Sequence, residues 1–125
     1  MVDFTHLKLN DLFPIYIQII RFVKIEMISN RVNNGEEMPS RRMLSAILGV
    51  NPNTVQKAYK EMEDEGILVS YAGSKSVLSF DAAKLEAIRQ DFIMKETSAY
   101  IEVVKQMGLE LTQANQLIER LWESK

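Results

Sequence analysis

A chain of 125 residues has room for one domain and a small appendage, and with 46% hydrophobic residues it is globular rather than disordered. The absence of cysteine removes disulfides and thiolate metal sites. A net charge of −2 gives no general attraction to nucleic acid, so a nucleic-acid surface requires segregation of charge: residues 1–80 hold nine basic and nine acidic side chains, residues 81–125 six and eight.

No basic segment followed by an apolar core opens the chain. No apolar run of about 18 residues occurs. A cytoplasmic protein without a membrane partner is expected. Residues 1–10 read as a flexible arm. Its single His6 has no companion at ligand spacing, so no metal or catalytic role is assigned. Pro14 starts a helix expected to run to about Val32. Ile15, Ile17, Ile19, Ile20, Phe22, Val23, Ile25, Met27 and Ile28 make its apolar set wider than one stripe. Such a helix is covered on two sides, one of them by a partner subunit or by the C-terminal segment. Asn33-Asn34-Gly35 ends it with residues suited to positive φ.

Ser40 is placed to cap a second helix, in which Leu44, Ile47 and Leu48 form an apolar face. Gly49 closes that helix. Asn51 caps the next, and Pro52 fits its first position. The short Gly-containing connection is that of a helix-turn-helix. In the second helix Val55, Ala58, Tyr59 and Met62 face the core. Asn53, Gln56, Lys57 and Lys60 share another face that carries no carboxylate. Asn and Gln pair with adenine edges, and Lys reaches phosphate or guanine. Glu61, Glu63, Asp64 and Glu65 crowd the far end, away from the phosphates of an inserted helix. Gly66 ends this helix. Residues 67–71 and 76–80 read as a hairpin, with Gly73, Ser74 and Lys75 at its tip, which must pack on the helices as a wing.

These motifs resemble the winged-helix domain of the GntR family of bacterial transcription regulators. The resemblance lies in Pro14-Ile15-Tyr16 with Gln18-Ile19, Met38-Pro39-Ser40 with Arg42, residues 48–55, Ala58-Tyr59 and Glu65-Gly66-Ile67. The Asn-Pro-Asn-Thr-Val run and the short tail resemble the YtrA subfamily. The resemblance implies that Arg42 touches the DNA backbone or a base edge. It implies contacts from Asn51, Asn53, Thr54, Gln56 and Lys57, and a wing-tip glycine at Gly73. Where the family often has a second wing glycine, this chain has Lys75.

Residues 81–125 are expected to form two helices, broken at Gly108. Leu85, Ile88, Phe92, Ile93, Tyr100, Ile101, Val104 and Met107 make the first stripe; Leu111, Ala114, Leu117, Ile118, Leu121 and Trp122 make the second. Two helices of this size cannot enclose a ligand pocket of their own, but two copies can cover each other. The alternative is a tail folded back on the first long helix.

The expected fold is thus mainly α with a small β-wing: a winged helix-turn-helix domain over 1–80, then a two-helix C-terminal dimerisation segment over 81–125. Ser40, Arg41, Arg42, Asn51, Asn53, Thr54, Gln56, Lys57, Gly73, Ser74 and Lys75 are the candidate DNA-binding residues. Arg41, Arg42, Lys57 and Lys75 would serve the backbone, with Asn53 and Gln56 reading bases. Phe92, Tyr100, Val104, Leu111, Leu117, Ile118, Leu121 and Trp122 are the candidate dimer contacts. The function implied is that of a sequence-specific regulator, most simply a repressor, that binds a pseudo-palindromic operator as a homodimer. The alternative is a winged-helix protein–protein adaptor without DNA binding. No cofactor is implied and an enzyme is not expected; an unidentified small-molecule effector stays open as a partner, though no polar constellation marks its site.

Overall fold

A computed structural model describes residues 1–125, the side chain of Ser74 excepted. Its elements are α1 (Ile15–Ile28), β1 (Glu37–Met38), α2 (Arg41–Leu48), α3 (Pro52–Asp64), β2 (Leu68–Ser70), β3 (Ser76–Leu78), α4 (Ala82–Gln106) and α5 (Leu111–Trp122). The chain divides into two compact units, Met1–Ile88 and Arg89–Lys125, and α4 contributes to both. The expected fold class is therefore observed: helices with a small antiparallel sheet, three-stranded here, in the order β1-β3-β2.

In the first unit the helix boundaries follow local chemistry. The Ser40 hydroxyl accepts the Met43 amide at 3.1 Å and starts α2. Gly49 ends α2 at φ 67, a backbone state that costs other residues strain. The Asn51 side chain accepts the Asn53 amide at 2.8 Å, and Pro52 opens α3. Helix α1 stops four residues before the expected Val32. Asn30 adopts φ 62 there, its amide donating to Met27 O while that of Arg31 reaches Glu26 O. This is a left-handed C-terminal cap made by asparagine, so Asn33-Asn34-Gly35 lies beyond the helix in the turn that leads to β1.

The core joins α1, α2, α3 and the sheet. Ile19, Val23 and Met27 meet Leu44, then Val55, Ala58, Tyr59 and Met62, with Ile67, Leu68 and Leu78 from the wing side. All four residues expected to face inward from α3 are fully buried. Ile47 is not: it is about half exposed and borders a shallow groove of about 370 Å³ with Phe4, Leu7, Leu9 and Leu48. Only Leu44 of the expected α2 face is sealed, because an eight-residue helix is little more than two turns long and has few inward positions.

The N-terminal arm is a correction. Val2 and Phe4 are 4% and 2% exposed, and both belong to the core. The Phe4 ring lies 5.1 Å from that of Phe22 on α1, and the Val2 amide donates to Glu37 O on β1. The broad apolar surface of α1 explains this, since residues 1–7 cover part of it. Gln18, also buried, fastens the following loop: its Nε2 donates to Asn10 O and Phe13 O, and its Oε1 accepts from the Asn10 amide.

The second unit is the later part of α4 and α5. Gly108, at φ 82, reverses the chain, with the amides of Gly108 and Leu109 returned to Lys105 O and Val104 O. Glu110 and Gln113 form a capping box that starts α5. Val104 and Ala114 are its buried apolar residues.

Candidate nucleic-acid interface

The starts of α2 and α3 open onto one cleft. Its volume is about 690 Å³, and Ser40, Arg41, Arg42, Pro52, Asn53 and Gln56 line it. Five of these six were expected from the sequence; Pro52 was not. No lining residue is acidic. Two helix N-termini add partial positive charge and unpaired amides to the same space, a combination that favours anions. Arg42, Asn53 and Gln56 are exposed, so a cation and two amide side chains are presented together.

Lys57 stands beside this cleft, on the exposed face of α3, with its Nζ 4.0 Å from the centroid of the Tyr16 ring on α1. A cation over a ring face is held without losing its charge. Tyr16 thus holds Lys57 in place, a link that no spacing in the sequence reveals. Thr54 is half-buried in the first turn of α3, and the Oδ1 of Asn51 is engaged in capping.

Three of the four acids at the end of α3 face cations of the same chain. Glu63 Oε1 meets Arg41 at 2.8 Å, Glu65 meets Lys24 at 2.8 Å, and Asp64 stands 3.8 Å from Lys60. The exposed Lys60–Asp64 pair contributes little to stability.

Arg41, expected as a backbone cation, lines the cleft and also has partners within the chain. Its Nη2 is bonded to Glu63 and lies 3.3 Å from Ser70 Oγ, and its guanidinium sits 5.0 Å from the centroid of Tyr59. Its Nε is buried without a hydrogen-bond partner among the described residues. A guanidinium bonded to a carboxylate and lying over a ring is held in one orientation.

At the wing tip, residues Ala72–Ser74 form a 3₁₀ turn in which Gly73 takes φ 79. Lys75 has φ −82 and ψ 130, so the position where the family often has a second glycine needs none here. The Lys75 side chain is exposed, with Glu37 4.0 Å away. The expected contact by Ser74 concerns a side chain outside the described residues. Strands β2 and β3 are joined at the register pair Ser70 and Ser76, whose hydroxyl oxygens are 3.1 Å apart.

Helix, glycine turn, helix and β-hairpin, with the front of the second helix exposed, define a winged helix-turn-helix protein. The family described as "Bacterial regulatory proteins, gntR family" matches residues 15–76. The HTH-type transcriptional repressor YtrA of Bacillus subtilis (strain 168) is 34% identical over 109 residues, covering 86% of this chain and 84% of its own. A GntR family transcriptional regulator from Listeria monocytogenes superposes with a TM-score of 0.78 at 27% identity, covering 90% of this chain and 98% of its own. YtrA from Sulfolobus acidocaldarius does so with a TM-score of 0.56, also at 27% identity, over 77% and 99% of the two chains. The chain belongs to the GntR family of DNA-binding transcription regulators, in its YtrA-like group. That family is one of regulators rather than of enzymes, and no helix among the described residues is long and apolar enough to cross a membrane.

Proposed function

We propose that this regulator is a repressor that binds a pseudo-palindromic operator as a homodimer, with residues 1–80 reading DNA and residues 81–125 pairing two copies. The observation that carries the reading is the acid-free cleft at the paired N-termini of α2 and α3, where Arg42, Asn53 and Gln56 stand together. Arg42 takes the backbone. Asn53 and Gln56 take base edges in the major groove, since a carboxamide matches the donor–acceptor pair of adenine. Lys57 and the exposed Lys75 add backbone contacts that weaken with salt.

Pairing is supported by apolar surface in the second unit. Leu111 is 77% exposed, Trp122 74% and Met107 63%, and Tyr100, Ile118 and Leu121 are also exposed. An exposed tryptophan among aliphatic residues has the composition of an interface anchor. Val104 is an exception among the expected contacts: it is buried within the single chain and supports the α4–α5 turn instead. Phe92 and Leu117 are half-buried. A two-fold dimer presents two α3 helices to half-sites about one DNA turn, or a multiple of it, apart. Repression is supported by the name of the Bacillus subtilis relative, a transcriptional repressor.

Selection of bound sequences from a random duplex pool at physiological salt tests this reading. Enrichment of an inverted repeat supports it, and enrichment of a single half-site or of no sequence overturns it.

A further inference from the structure

We infer that Arg41 is a positioning residue: with Glu63 and Ser70 it braces the wing against the start of α2 and the end of the recognition helix, and it neutralises no phosphate. This rests on the DNA-binding reading above. Four elements meet at the brace. Arg41 opens α2, Glu63 lies in the last turn of α3, Ser70 ends β2, and Ser76 begins β3. Glu63 Oε1 accepts from both Arg41 Nη2, at 2.8 Å, and Ser70 Oγ, at 2.5 Å. Ser70 Oγ in turn lies 3.1 Å from Ser76 Oγ, and Ser76 is buried. The chain of contacts thus runs from the helix that borders the cleft to both strands of the wing.

The Tyr59 ring beneath the guanidinium holds it from a second direction. Strands β2 and β3 have little stability of their own and β1 adds only two residues to their sheet, so the angle of the wing to the helices depends on such links. The charge of Arg41 is matched by Glu63, and a matched cation releases few counterions when DNA arrives. An unmatched cation at the same place would release about one.

The two roles give opposite signs. Were Arg41 a phosphate contact, Glu63→Ala would free it, remove a negative charge and tighten DNA binding. As a brace, Glu63→Ala loosens the wing and weakens binding, by roughly five- to fiftyfold for a coupled pair of this kind. Arg41→Ala weakens binding to a similar extent while leaving the slope of log K against log salt unchanged. The charge-reversed double variant, Arg41→Glu with Glu63→Arg, recovers part of the loss.

Affinity over a salt series for these variants is to be measured together with amide hydrogen exchange of the free protein. Faster exchange at Val69, Ser70, Ser76 and Val77, with Val23 and Met62 unchanged, is the expected signature in both single variants. Tighter binding by Glu63→Ala, or a slope flattened by about one in Arg41→Ala, overturns the brace. So does wing exchange equal to that of the unaltered protein. A chain that binds no duplex at all but shows the exchange signature overturns the function reading and leaves the brace standing.

Discussion

The Tyr59 hydroxyl donates a 2.6 Å hydrogen bond to the carbonyl of Pro39, at a site where both residues are buried. Tyr59 lies in the middle of α3, and Pro39 immediately precedes the α2 cap. The bond therefore fixes the recognition helix to the entry of the helix it crosses, and with it the shape of the cleft. Tyr59→Phe leaves that carbonyl buried without its donor. The expected cost is about 1–3 kcal/mol in urea denaturation, with a native-like circular dichroism spectrum.

The same residue gives a pH dependence. Burial pushes the Tyr59 hydroxyl above the ordinary tyrosine value of 10.0, with Arg41 opposing the shift more weakly. A group whose folded pKa is raised stabilises fully below its unfolded value. Its contribution is lost as pH rises from there through the folded value. The stability difference between the native chain and Tyr59→Phe is therefore expected to be constant at neutral pH and to shrink above about pH 10. A difference that grows with alkaline pH would contradict this assignment.

Two side chains on the cleft separate backbone affinity from base reading. Gln56→Ala is expected to relax preference at one base position, by about 1–3 kcal/mol of discrimination. Arg42→Ala is expected to weaken binding to all sequences and to flatten the salt slope by about one. Competition titrations against single-position operator variants, repeated at several salt concentrations, distinguish the two. An Arg42→Ala protein with unaltered affinity and slope would refute this docking.

Gly73 offers a cleaner probe of the wing tip. A Cβ there would meet nothing within 4 Å, so only the φ of +79° resists substitution. Gly73→Val should cost about 1–2 kcal/mol locally, or shift the turn, while the core melts almost unchanged. Its measured effect should fall on DNA affinity far more than on thermal stability.

For the tail, Trp122→Ala combined with Leu111→Ser is expected to raise the dimer dissociation constant at least tenfold in sedimentation equilibrium. Removing an exposed anchor of this size typically costs more than about 1 kcal/mol of binding. Unchanged self-association would move the interface elsewhere.

Signals confined to a few neighbouring residues could be read before the fold was known. Ser40, Gly49, Asn51 and Pro52 act on their own turns, and Val55, Ala58, Tyr59 and Met62 repeat at the helical period, so their positions came out as expected. What stayed hidden depends on distant partners. Nothing local in Val2 and Phe4 announces that α1 has surface to spare for them. Strand β1 is two residues long, and it exists because β3 arrives beside it. Asn30 competed with the more conspicuous Asn33-Asn34-Gly35 and took the cap first. The motif resemblance singles out Arg42, but nothing local in Arg41 announces its partners Glu63, Ser70 and Tyr59.

Titrating the purified protein onto an inverted-repeat duplex and onto an unrelated duplex, at physiological salt, tests the central claim most directly when stoichiometry is read by sedimentation. The expected result is two chains per inverted repeat, with affinity at least a thousandfold above that for the unrelated duplex. One chain per duplex, or equal affinity for both, would contradict it.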